Sequence, residues 1–275
     1  MRYDLHSHST FSDGILAPSA LVGRAIDQDV DVLALTDHDD TAGLDEAMRT
    51  AEGTNLELVP GAELSVSWDD LTVHVVALRI DPDNPMLVEG LATIRSGRDG
   101  RARRIAAALE REGVSGAWEG ALRYVTSERL ISRAHFARYL VEAGYVKSMK
   151  DVFKRYLAQG LPGYVEHRWA SLGDAIGWIH AAGGDAVLAH PGRYRTMPGG
   201  MRRLIAEFKD RGGDAIEIIS PSHDAADVTR FAGFARTHGL RGSVGSDFHG
   251  PDESFVDLGD CADLPAGIEP VWARW

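Results

Sequence analysis

Cysteine and long apolar runs are nearly absent from this sequence, and each absence excludes a class of protein. The chain of 275 residues holds one cysteine, Cys261, which has no second thiol with which to form an internal disulfide. No run of about 18 apolar residues is present, which argues against a membrane-spanning helix. The N-terminus reads directly into an apparent strand and shows no apolar secretory segment. We therefore expect a cytoplasmic protein with no membrane partner and an inert thiol at Cys261.

Positive charge is also scarce. The sequence contains 29 lysine and arginine residues against 41 aspartate and glutamate residues, and its formal net charge is −12. An acidic balance of this size, taken alone, disfavours nucleic acid or a membrane surface as a partner. Divalent cations can nevertheless be the largest charges in a site and reverse its local polarity. The acidic composition therefore leaves a phosphate-bearing substrate open.

Strand-like and helix-like segments alternate along most of the chain, without internal repeats or low-complexity tracts. Short apolar runs such as VDVLALTD and DAVLAHP are typical of buried strands, and segments such as TAGLDEAMRTAEG indicate helices. About seven strands alternate with helices in this way. Such alternation predicts a parallel α/β fold, and the chain length suits an α/β barrel.

Residues 98–166 break this alternation, because three helical segments follow one another there without a strand between them. We interpret this stretch as a helical insertion, or cap, in a barrel formed by residues 1–97 and 167–275. The insertion begins within an arginine-rich run, RSGRDGRARR. Such a run could follow an RNA backbone, but it is more typical of a solvated helix face.

Histidines and carboxylates are concentrated near the ends of the predicted strands. In an α/β barrel, the carboxyl ends of the strands are where catalytic groups collect. His6 and His8 point to the same face of a strand, because side chains alternate with period two. Asp247 and His249 repeat this spacing on the last strand. The residues concerned are His6, His8, Asp37, His38, Glu63, His74, His190, Asp247 and His249.

These residue types predict a metal site. Imidazole with carboxylate suits zinc, manganese or iron, whereas the absence of thiolates argues against a structural zinc site. Each motif alone has another interpretation: an exposed pair for His6 and His8, a helix N-cap for TDHDD, and a turn for AHPG. Five strands that each bring a histidine to the same end favour one shared metal centre over these separate interpretations.

The sequence resembles the polymerase and histidinol phosphatase (PHP) family of metal-dependent phosphoesterases. Six motifs carry the resemblance, in the family's order from Asp4 to His249: DLHSHSTFSDG, ALTDHD, GAELS, TVHVVAL, LAHPGR and GSDFHG. The resemblance implies a distorted (β/α)7 barrel that holds two to three divalent metal ions. Manganese is the favoured metal, and zinc, iron or magnesium are the alternatives.

The family's metal ligands transfer to this sequence position by position. Glu63 would be shared by two of the metals, and in some relatives a histidine stands at the place of Asp13. Asp4 and Asp37 are expected to orient the ligating rings from behind. The resemblance implies three ligand groups, which are His6, His8, Glu63 and Asp247; Glu63, His74 and His190; and Asp13, His38 and His249.

Three further segments, SRAHFARYLVEAG, YVEHRWASLGDAI and ISPSH, narrow the resemblance. They are similar to the subgroup of 3′,5′-nucleotide bisphosphate phosphatases, which includes a 5′→3′ exoribonuclease on short RNA. The subgroup carries a helical insertion at this place, and its GRPHFA pattern differs here because Ala134 replaces a proline. The resemblance implies hydrolysis of the 3′-phosphate of a nucleoside 3′,5′-bisphosphate, or release of mononucleotides from short 5′-phosphorylated RNA.

Two other functions remain open. One is a phosphatase for histidinol phosphate or another small phosphomonoester. The other is a non-catalytic, metal-binding module of a replication or repair complex, which the complete ligand set disfavours.

Residues outside the ligand set are candidates for binding the second phosphate or for proton transfer. Arginine suits bidentate contact with phosphate, although a surface ion pair is the competing interpretation for each arginine. His223 is also a candidate proton donor to the leaving group, and with Asp247 it completes the candidate catalytic residues. The candidates for the second phosphate are Arg133, His135, Arg193 and His223.

Overall fold

The structure, a computed structural model, describes residues 1–126 and 130–275. The strands are β1 (Tyr3–Asp4), β2 (Val32–Leu35), β3 (Glu57–Trp68), β4 (Leu71–Leu78), β5 (Ala170–Ser171), β6 (Asp185–Leu188), β7 (Ala215–Ile219) and β8 (Arg241–Val244). The α-helices are α1 (Pro18–Asp27), α2 (Leu44–Ala51), α3 (Pro85–Ser96), α4 (Arg98–Arg111), α5 (Ala117–Leu122), α6 (Arg133–Glu142), α7 (Met149–Val152), α8 (Leu172–Ala181), α9 (Gly200–Asp210) and α10 (Ala225–His238). None of these described helices is both long and apolar enough to cross a bilayer.

The main sheet has the strand order β1-β2-β3-β4-β6-β7-β8, and the short β5 pairs with β3. Its two ends approach each other, because Leu5 N donates a 3.1 Å hydrogen bond to Val244 O and Ser7 bridges to Phe248 in parallel orientation. The sheet therefore curls into a nearly closed barrel of seven strands. This confirms the α/β barrel with distorted (β/α)7 architecture.

The distortion lies at β4, which runs antiparallel to both β3 and β6. A tight turn at Asp69 and Asp70 joins β3 directly to β4, and Asp69 adopts a positive φ of 48°. A two-residue hairpin leaves no room for a crossover helix between these strands. The regular strand–helix alternation is thus interrupted at this point.

Helices cover the outer face of the barrel, so the central strands are buried on both faces. All four residues of β2, VLAL, are buried, as expected for a parallel strand between two packed layers. Leu33 and Leu35 of β2 pack with Leu21 of α1 and Leu44 of α2 in one cluster.

Helices α4 to α7 follow α3 in the chain between β4 and β5, where no strand is formed by the described residues. They pack around a cluster of their own that includes Ile105, Leu109, Phe136 and Leu140. The division into a barrel and an insertion at residues 98 and 166 stays a prediction. Residues 98–166 are called the insertion below.

The arginine-rich run at the start of the insertion is not a uniformly solvated helix face. Arg103 is exposed and pairs with Asp99 one turn earlier on α4, as that interpretation requires. Arg98 and Arg101, however, are only 6% and 7% exposed. The expectation of a solvated face is therefore wrong for these two residues, because α4 turns them toward the barrel.

Candidate metal centre

The predicted ligands converge at one end of the barrel. Most of them lie just beyond a parallel strand, where the chain passes into a loop, whereas Glu63 lies within β3. His74 is different, because it lies in the first half of β4 and reaches the same end through the reversed direction of that strand. Close packing at this end is supported by Gly245, where an added Cβ would come within 2.4 Å of the His6 Cβ.

The first ligand group consists of His6, His8, Glu63 and Asp247, all of them buried. The Nε2 atoms of His6 and His8 each lie 3.3 Å from Glu63 Oε2. They lie 3.5 and 3.2 Å, respectively, from Asp247 Oδ1. Two imidazoles and two carboxylates thus direct ligand atoms toward a common point.

The second group centres on the other side of the Glu63 carboxylate. His74 Nδ1 lies 2.8 Å and His190 Nε2 lies 2.9 Å from Glu63 Oε1. His38 Nδ1 lies 2.9 Å from Glu63 Oε2 and joins Glu63 and His74 in a possible ligand set. Glu63 therefore lies between two groups, as a bridging carboxylate would.

The third group consists of His8, Asp13, His38 and His249. Asp13 Oδ1 lies 3.3 Å from His249 Nε2 and 3.8 Å from His38 Nε2. Burial disfavours the charged form of the His249 ring. The nearby carboxylates, led by Asp13, nevertheless raise the pKa of His249 to about 9. A metal bound here would therefore displace a proton from this ring.

Many of these ligand atoms are buried but lack a hydrogen bond. A buried polar atom without a partner costs free energy, so such atoms usually mark a site for a bound group. The donor set of imidazoles and carboxylates is the one that divalent transition metals bind, and the residues therefore fit a metal. The atoms without a hydrogen-bond partner among the described residues include His6 Nε2, Asp13 Oδ1, His38 Nδ1, Glu63 Oε2, His74 Nδ1 and His190 Nδ1.

Several of the ligands are also in the ionisation state that metal binding needs. Burial opposes the charged form of Asp247, but the adjacent Arg193 helps to hold the pKa of its carboxyl well below the usual value. Burial, with repulsion from His249, lowers the pKa of His8 to about 3. Burial, with repulsion from Arg193, lowers the pKa of His190 to about 4. Ionised carboxylates and neutral imidazoles are the forms that bind metal.

One buried carboxylate behind the ligands was not recognised in the sequence. Glu217 Oε1 lies 2.6 Å from His6 Nδ1, and Glu217 Oε2 accepts a 2.5 Å hydrogen bond from the backbone N–H of His190. Such a partner fixes the tautomer and orientation of a ligating histidine. The available signal was a single charged residue inside the apolar strand segment AIEII.

Asp4 and Asp37, expected to orient ligating rings, hold loops instead. Asp4 accepts hydrogen bonds from the backbone N–H groups of Ser246 and Gly259, each at 2.9 Å. Asp37 accepts bonds from the backbone and hydroxyl of Ser9, at 2.7 and 2.6 Å. Both carboxylates thereby fix the backbone of loops that carry ligands.

The insertion reaches the third ligand group. Ser132 Oγ donates a 2.8 Å hydrogen bond to Asp13 Oδ2, and the Arg138 guanidinium donates to the Asp13 carbonyl. His135 is 1% exposed, and its Nδ1 accepts a 3.1 Å bond from Ser132 N in a capping box. Arg133 follows Ser132 in the chain and lies close to this group.

Arg193 and His223 lie beside the loop after β6. The Arg193 guanidinium contacts the Asp247 carboxylate, and 45% of the Arg193 side chain is exposed. His223 Nε2 accepts a 3.0 Å hydrogen bond from Gly192 N, while His223 Nδ1 donates to Ile218 O at 3.0 Å. Both ring nitrogens of His223 are therefore bonded to backbone in this structure.

Comparison with known proteins adds independent findings. The profile of the PHP domain matches residues 4–166. The 3′,5′-nucleoside bisphosphate phosphatase of Chromobacterium violaceum is 50% identical over 272 residues, 98% of this chain and 94% of that protein. The 5′-3′ exoribonuclease Rnm of Salmonella typhimurium is 46% identical over 275 residues, 99% of this chain and 93% of that protein. A solved structure of an amidohydrolase from Chromobacterium violaceum, with bound sulfate and no metal, has a TM-score of 0.95 and 49% identity and covers 99% of this chain and 95% of that chain.

Proposed function

The chain belongs to the PHP domain family, and we propose that it is a metal-dependent phosphoesterase that hydrolyses the 3′-phosphate of nucleoside 3′,5′-bisphosphates. One observation carries the proposal: histidines from five strands and three carboxylates converge around Glu63 with buried ligand atoms that lack hydrogen bonds. The name of the relative from Chromobacterium violaceum supports this choice of substrate.

In the reaction, a water oxygen forms a bond to phosphorus while the bond between phosphorus and the 3′-oxygen breaks. The products are inorganic phosphate and a nucleoside 5′-monophosphate, and the 3′-oxygen receives a proton. Two to three divalent ions, with manganese favoured and zinc, iron or magnesium as alternatives, would neutralise the phosphate oxygens and activate the water. The ligands proposed to hold them are His6, His8, Asp13, His38, Glu63, His74, His190, Asp247 and His249.

The chain's own residues bind and orient the phosphate around this centre. Arg193 is half-exposed beside Asp247, so its guanidinium can contact a phosphate that enters from solvent. Asp247 is proposed to act in catalysis by holding both the first ligand group and this arginine in place. The insertion is proposed to cap the barrel formed by residues 1–97 and 167–275. It would supply Arg133 and His135 on its side of the metal centre.

His223 is the proposed proton donor to the leaving 3′-oxygen. To act in this way, Nε2 of His223 must first carry a proton. That proton replaces the hydrogen bond that the Gly192 N–H now donates to Nε2. We expect His223→Gln to lower kcat for a nucleotide, whose alkoxide leaving group needs protonation, but not for p-nitrophenyl phosphate, whose leaving group departs unaided. Equal loss on both esters would assign His223 a structural role in holding the loop.

Short 5′-phosphorylated RNA is a second candidate substrate, favoured by the relative from Salmonella typhimurium named as a 5′-3′ exoribonuclease. Water would then attack the phosphorus of a diester, and the same bond between phosphorus and the 3′-oxygen would break. The products would be a nucleoside 5′-monophosphate and a shortened RNA that carries the phosphate at its new 5′ end. The remaining alternatives are a histidinol-phosphate or other small phosphomonoester phosphatase, and a non-catalytic metal-binding module.

The test is phosphate release by purified protein that has been stripped with chelator and reloaded with manganese, magnesium or zinc. We expect metal-dependent release from adenosine 3′,5′-bisphosphate, well above that from histidinol phosphate. A preference for histidinol phosphate would identify the alternative phosphatase. No release from any phosphomonoester by metal-loaded protein would favour the non-catalytic module.

Asp247→Asn should abolish both metal dependence and turnover, since it removes a charged ligand. Asp260→Asn is the matched control, because Asp260 is exposed on the chain that follows the last ligand. Activity that survives Asp247→Asn and chelation alike would overturn the metal-centre proposal.

A further inference from the structure

A tyrosine hydroxyl interrupts the ladder between β4 and β6 where both strands reach the candidate metal centre. The two strands are antiparallel, and their last paired residues at this end are Val75 and Leu188. The next pair along the ladder is His74 with Ala189, and Ala189 N donates a 3.1 Å hydrogen bond to His74 O. Residues in such a pair normally exchange both backbone hydrogen bonds. A regular ladder would therefore also have a bond from His74 N to Ala189 O.

The Tyr194 hydroxyl takes the place of this second bond. His74 N donates a 2.8 Å hydrogen bond to Tyr194 Oη, and Tyr194 Oη donates a 2.9 Å bond to Ala189 O. The inserted oxygen holds these two backbone atoms farther apart than a direct hydrogen bond would. The spacing between β4 and β6 at this position is thus set by a side chain.

Both histidines of the second ligand group lie at this position. His74 is one member of the interrupted pair, and His190 directly follows the other member, Ala189. Their rings approach the same oxygen, because His74 Nδ1 lies 2.8 Å and His190 Nε2 lies 2.9 Å from Glu63 Oε1. One hydroxyl group, on Tyr194, therefore contacts the backbone beside both rings.

The peptide unit between Ala189 and His190 is held at both ends. Its C=O accepts the hydrogen bond from Tyr194 Oη, and its N–H donates to Glu217 Oε2 at 2.5 Å. His190 has a positive φ of 27°, and a residue other than glycine keeps such a conformation only where its surroundings impose it. The two hydrogen bonds fix the plane of this peptide and thereby the direction of the His190 ring.

Tyr194 is itself held in place. It follows a short turn of 3-10 helix, Pro191–Arg193, and its backbone N–H donates a 3.2 Å hydrogen bond to Pro191 O. Its ring packs against the main hydrophobic cluster of the barrel. The ring also lies edge-on to the His190 ring, with centroids 5.7 Å apart. A hydroxyl on a packed ring is already in position before any metal binds, which favours precise ligand geometry.

We propose that Tyr194 is a positioning residue that holds His74 and His190 at the spacing required by the metal of the second ligand group. This inference rests on the proposed metal centre and not on which phosphate ester is cleaved. Without the hydroxyl, the His74 N–H and the Ala189 C=O would bond directly or lose their partner, and either change would move both rings relative to Glu63. The first and third groups should keep their metals, because neither histidine belongs to them.

Manganese titration of chelator-stripped protein tests the inference. Tyr194→Phe keeps the ring and removes only the hydroxyl. We expect one manganese ion per chain to bind about 10- to 100-fold more weakly, with the affinity for the remaining ions unchanged. Tyr145→Phe is the matched control, because the Tyr145 hydroxyl accepts a 3.0 Å hydrogen bond from Ser115 N within the insertion. Equal manganese binding by wild type and Tyr194→Phe would overturn the inference.

A double variant identifies the affected metal. His74→Ala removes a ligand of the second group, so the metal of that group is already weakened. Tyr194→Phe should therefore weaken manganese binding little further in a protein that carries His74→Ala. Losses that add would place the effect of Tyr194 outside the second group and contradict the proposal.

Turnover separates a positioning role from a general structural one. Tyr194→Phe should need about 10- to 100-fold more manganese than wild type to release phosphate from adenosine 3′,5′-bisphosphate. At saturating manganese its kcat should return to the wild-type value, and a kcat that stays low would count against the inference. The expected titrations without turnover in wild type would overturn the proposed function and support the role of Tyr194. Normal turnover with equal manganese requirements would do the reverse.

A measurement on wild type covers the case in which Tyr194→Phe does not fold. The His74 amide should exchange its hydrogen with solvent more slowly than an unstructured amide, because it donates to the Tyr194 hydroxyl. NMR of the metal-free protein measures this rate. Exchange at the rate of an unstructured amide would show that the hydroxyl does not hold His74, and the proposal would fail.

Discussion

Ser132 Oγ donates a 2.8 Å hydrogen bond to Asp13 Oδ2, although 119 positions separate the two residues in the sequence. Arg138, on the same helix, donates to the Asp13 carbonyl and pairs with Glu253. One helix of the insertion therefore holds a candidate metal ligand by its side chain and by its backbone. The insertion therefore contributes to the frame of the candidate metal centre.

Ser132→Ala tests this connection. Asp13 would lose a hydrogen bond that orients its carboxylate, and we expect about a tenfold loss of affinity for the weakest-bound metal. Metal content after dialysis, measured by mass spectrometry, checks the expected fall. Ser148→Ala is the control, because Ser148 caps the exposed start of α7 within the same insertion. A Ser132 variant with the full metal content of wild type would show that Asp13 needs no support from the insertion.

Glu217→Gln tests the carboxylate behind the ligands. Glu217 receives hydrogen bonds from His6 on one oxygen and from His190 N on the other. A glutamine can accept only one of them, because its amide nitrogen is a donor. We expect metal affinity and kcat to fall about 10- to 100-fold together. Glu142→Gln controls for the loss of one negative charge, because Glu142 forms an exposed pair with Arg123. Similar effects of Glu142→Gln and Glu217→Gln would contradict a positioning role for Glu217.

Arg138→Met tests the attachment of the insertion to the barrel. Arg138 is largely buried, and both its Nε and Nη2 atoms bond the Glu253 carboxylate at 2.7 Å. Removal of one partner from a buried ion pair leaves the other uncompensated, so the free energy of unfolding should fall by about 3 kcal/mol. Urea unfolding measures this change. Arg123→Met provides the comparison, because loss of the exposed pair with Glu142 should lower the free energy of unfolding by under about 1 kcal/mol. Equal decreases in the two variants would refute the structural role of Arg138.

His135→Gln tests the pH dependence of stability. Burial lowers the pKa of His135 from 6.5 to about 4. The unfolded chain therefore takes up the proton first, so the contribution of the neutral ring is complete above pH 6.5 and is lost as the pH falls toward 4. Between pH 7 and pH 5 this amounts to about 2 kcal/mol.

Glutamine at position 135 keeps an acceptor for Ser132 N but does not titrate. Denaturant unfolding at pH 7 and pH 5 should therefore show a smaller acid-induced loss in the variant, by about 2 kcal/mol. His238→Gln, at the end of α10, is expected to retain the wild-type loss. An equal loss of stability between pH 7 and pH 5 in wild type and His135→Gln would mean that this ring is not responsible for the acid sensitivity.

Sequence patterns predicted that the candidate ligands would meet in space, because each one lies close to a strand and strand ends of a barrel meet. The spacing of His6 and His8 predicted two rings on one face, and both Nε2 atoms do lie 3.3 Å from the same Glu63 oxygen. The reversed direction of β4 was less visible, since a two-residue turn at Asp69 and Asp70 resembles any short loop. It matters because it brings His74 to the ligand end.

The residues that sequence reasoning misjudged are those whose partners are distant. The run around Arg98 and Arg101 is polar in every local window, so it was expected to be solvated. Glu217 lies in an apolar strand with no motif of its own, and 211 positions separate it from His6. Nothing local distinguishes such residues, because their neighbours are supplied by other elements.

The sequence by itself therefore determined the chemistry of the centre: which imidazoles and carboxylates are present, and that strand ends would assemble them. Only the tertiary structure decided which groups support that centre and where positive charge lies beside it. The physical reason is the distance along the sequence over which each effect acts. Side-chain alternation acts over a few residues and can be read from the chain, whereas the burial of Arg101 and the bond between Ser132 and Asp13 depend on how α4 and α6 pack against the barrel.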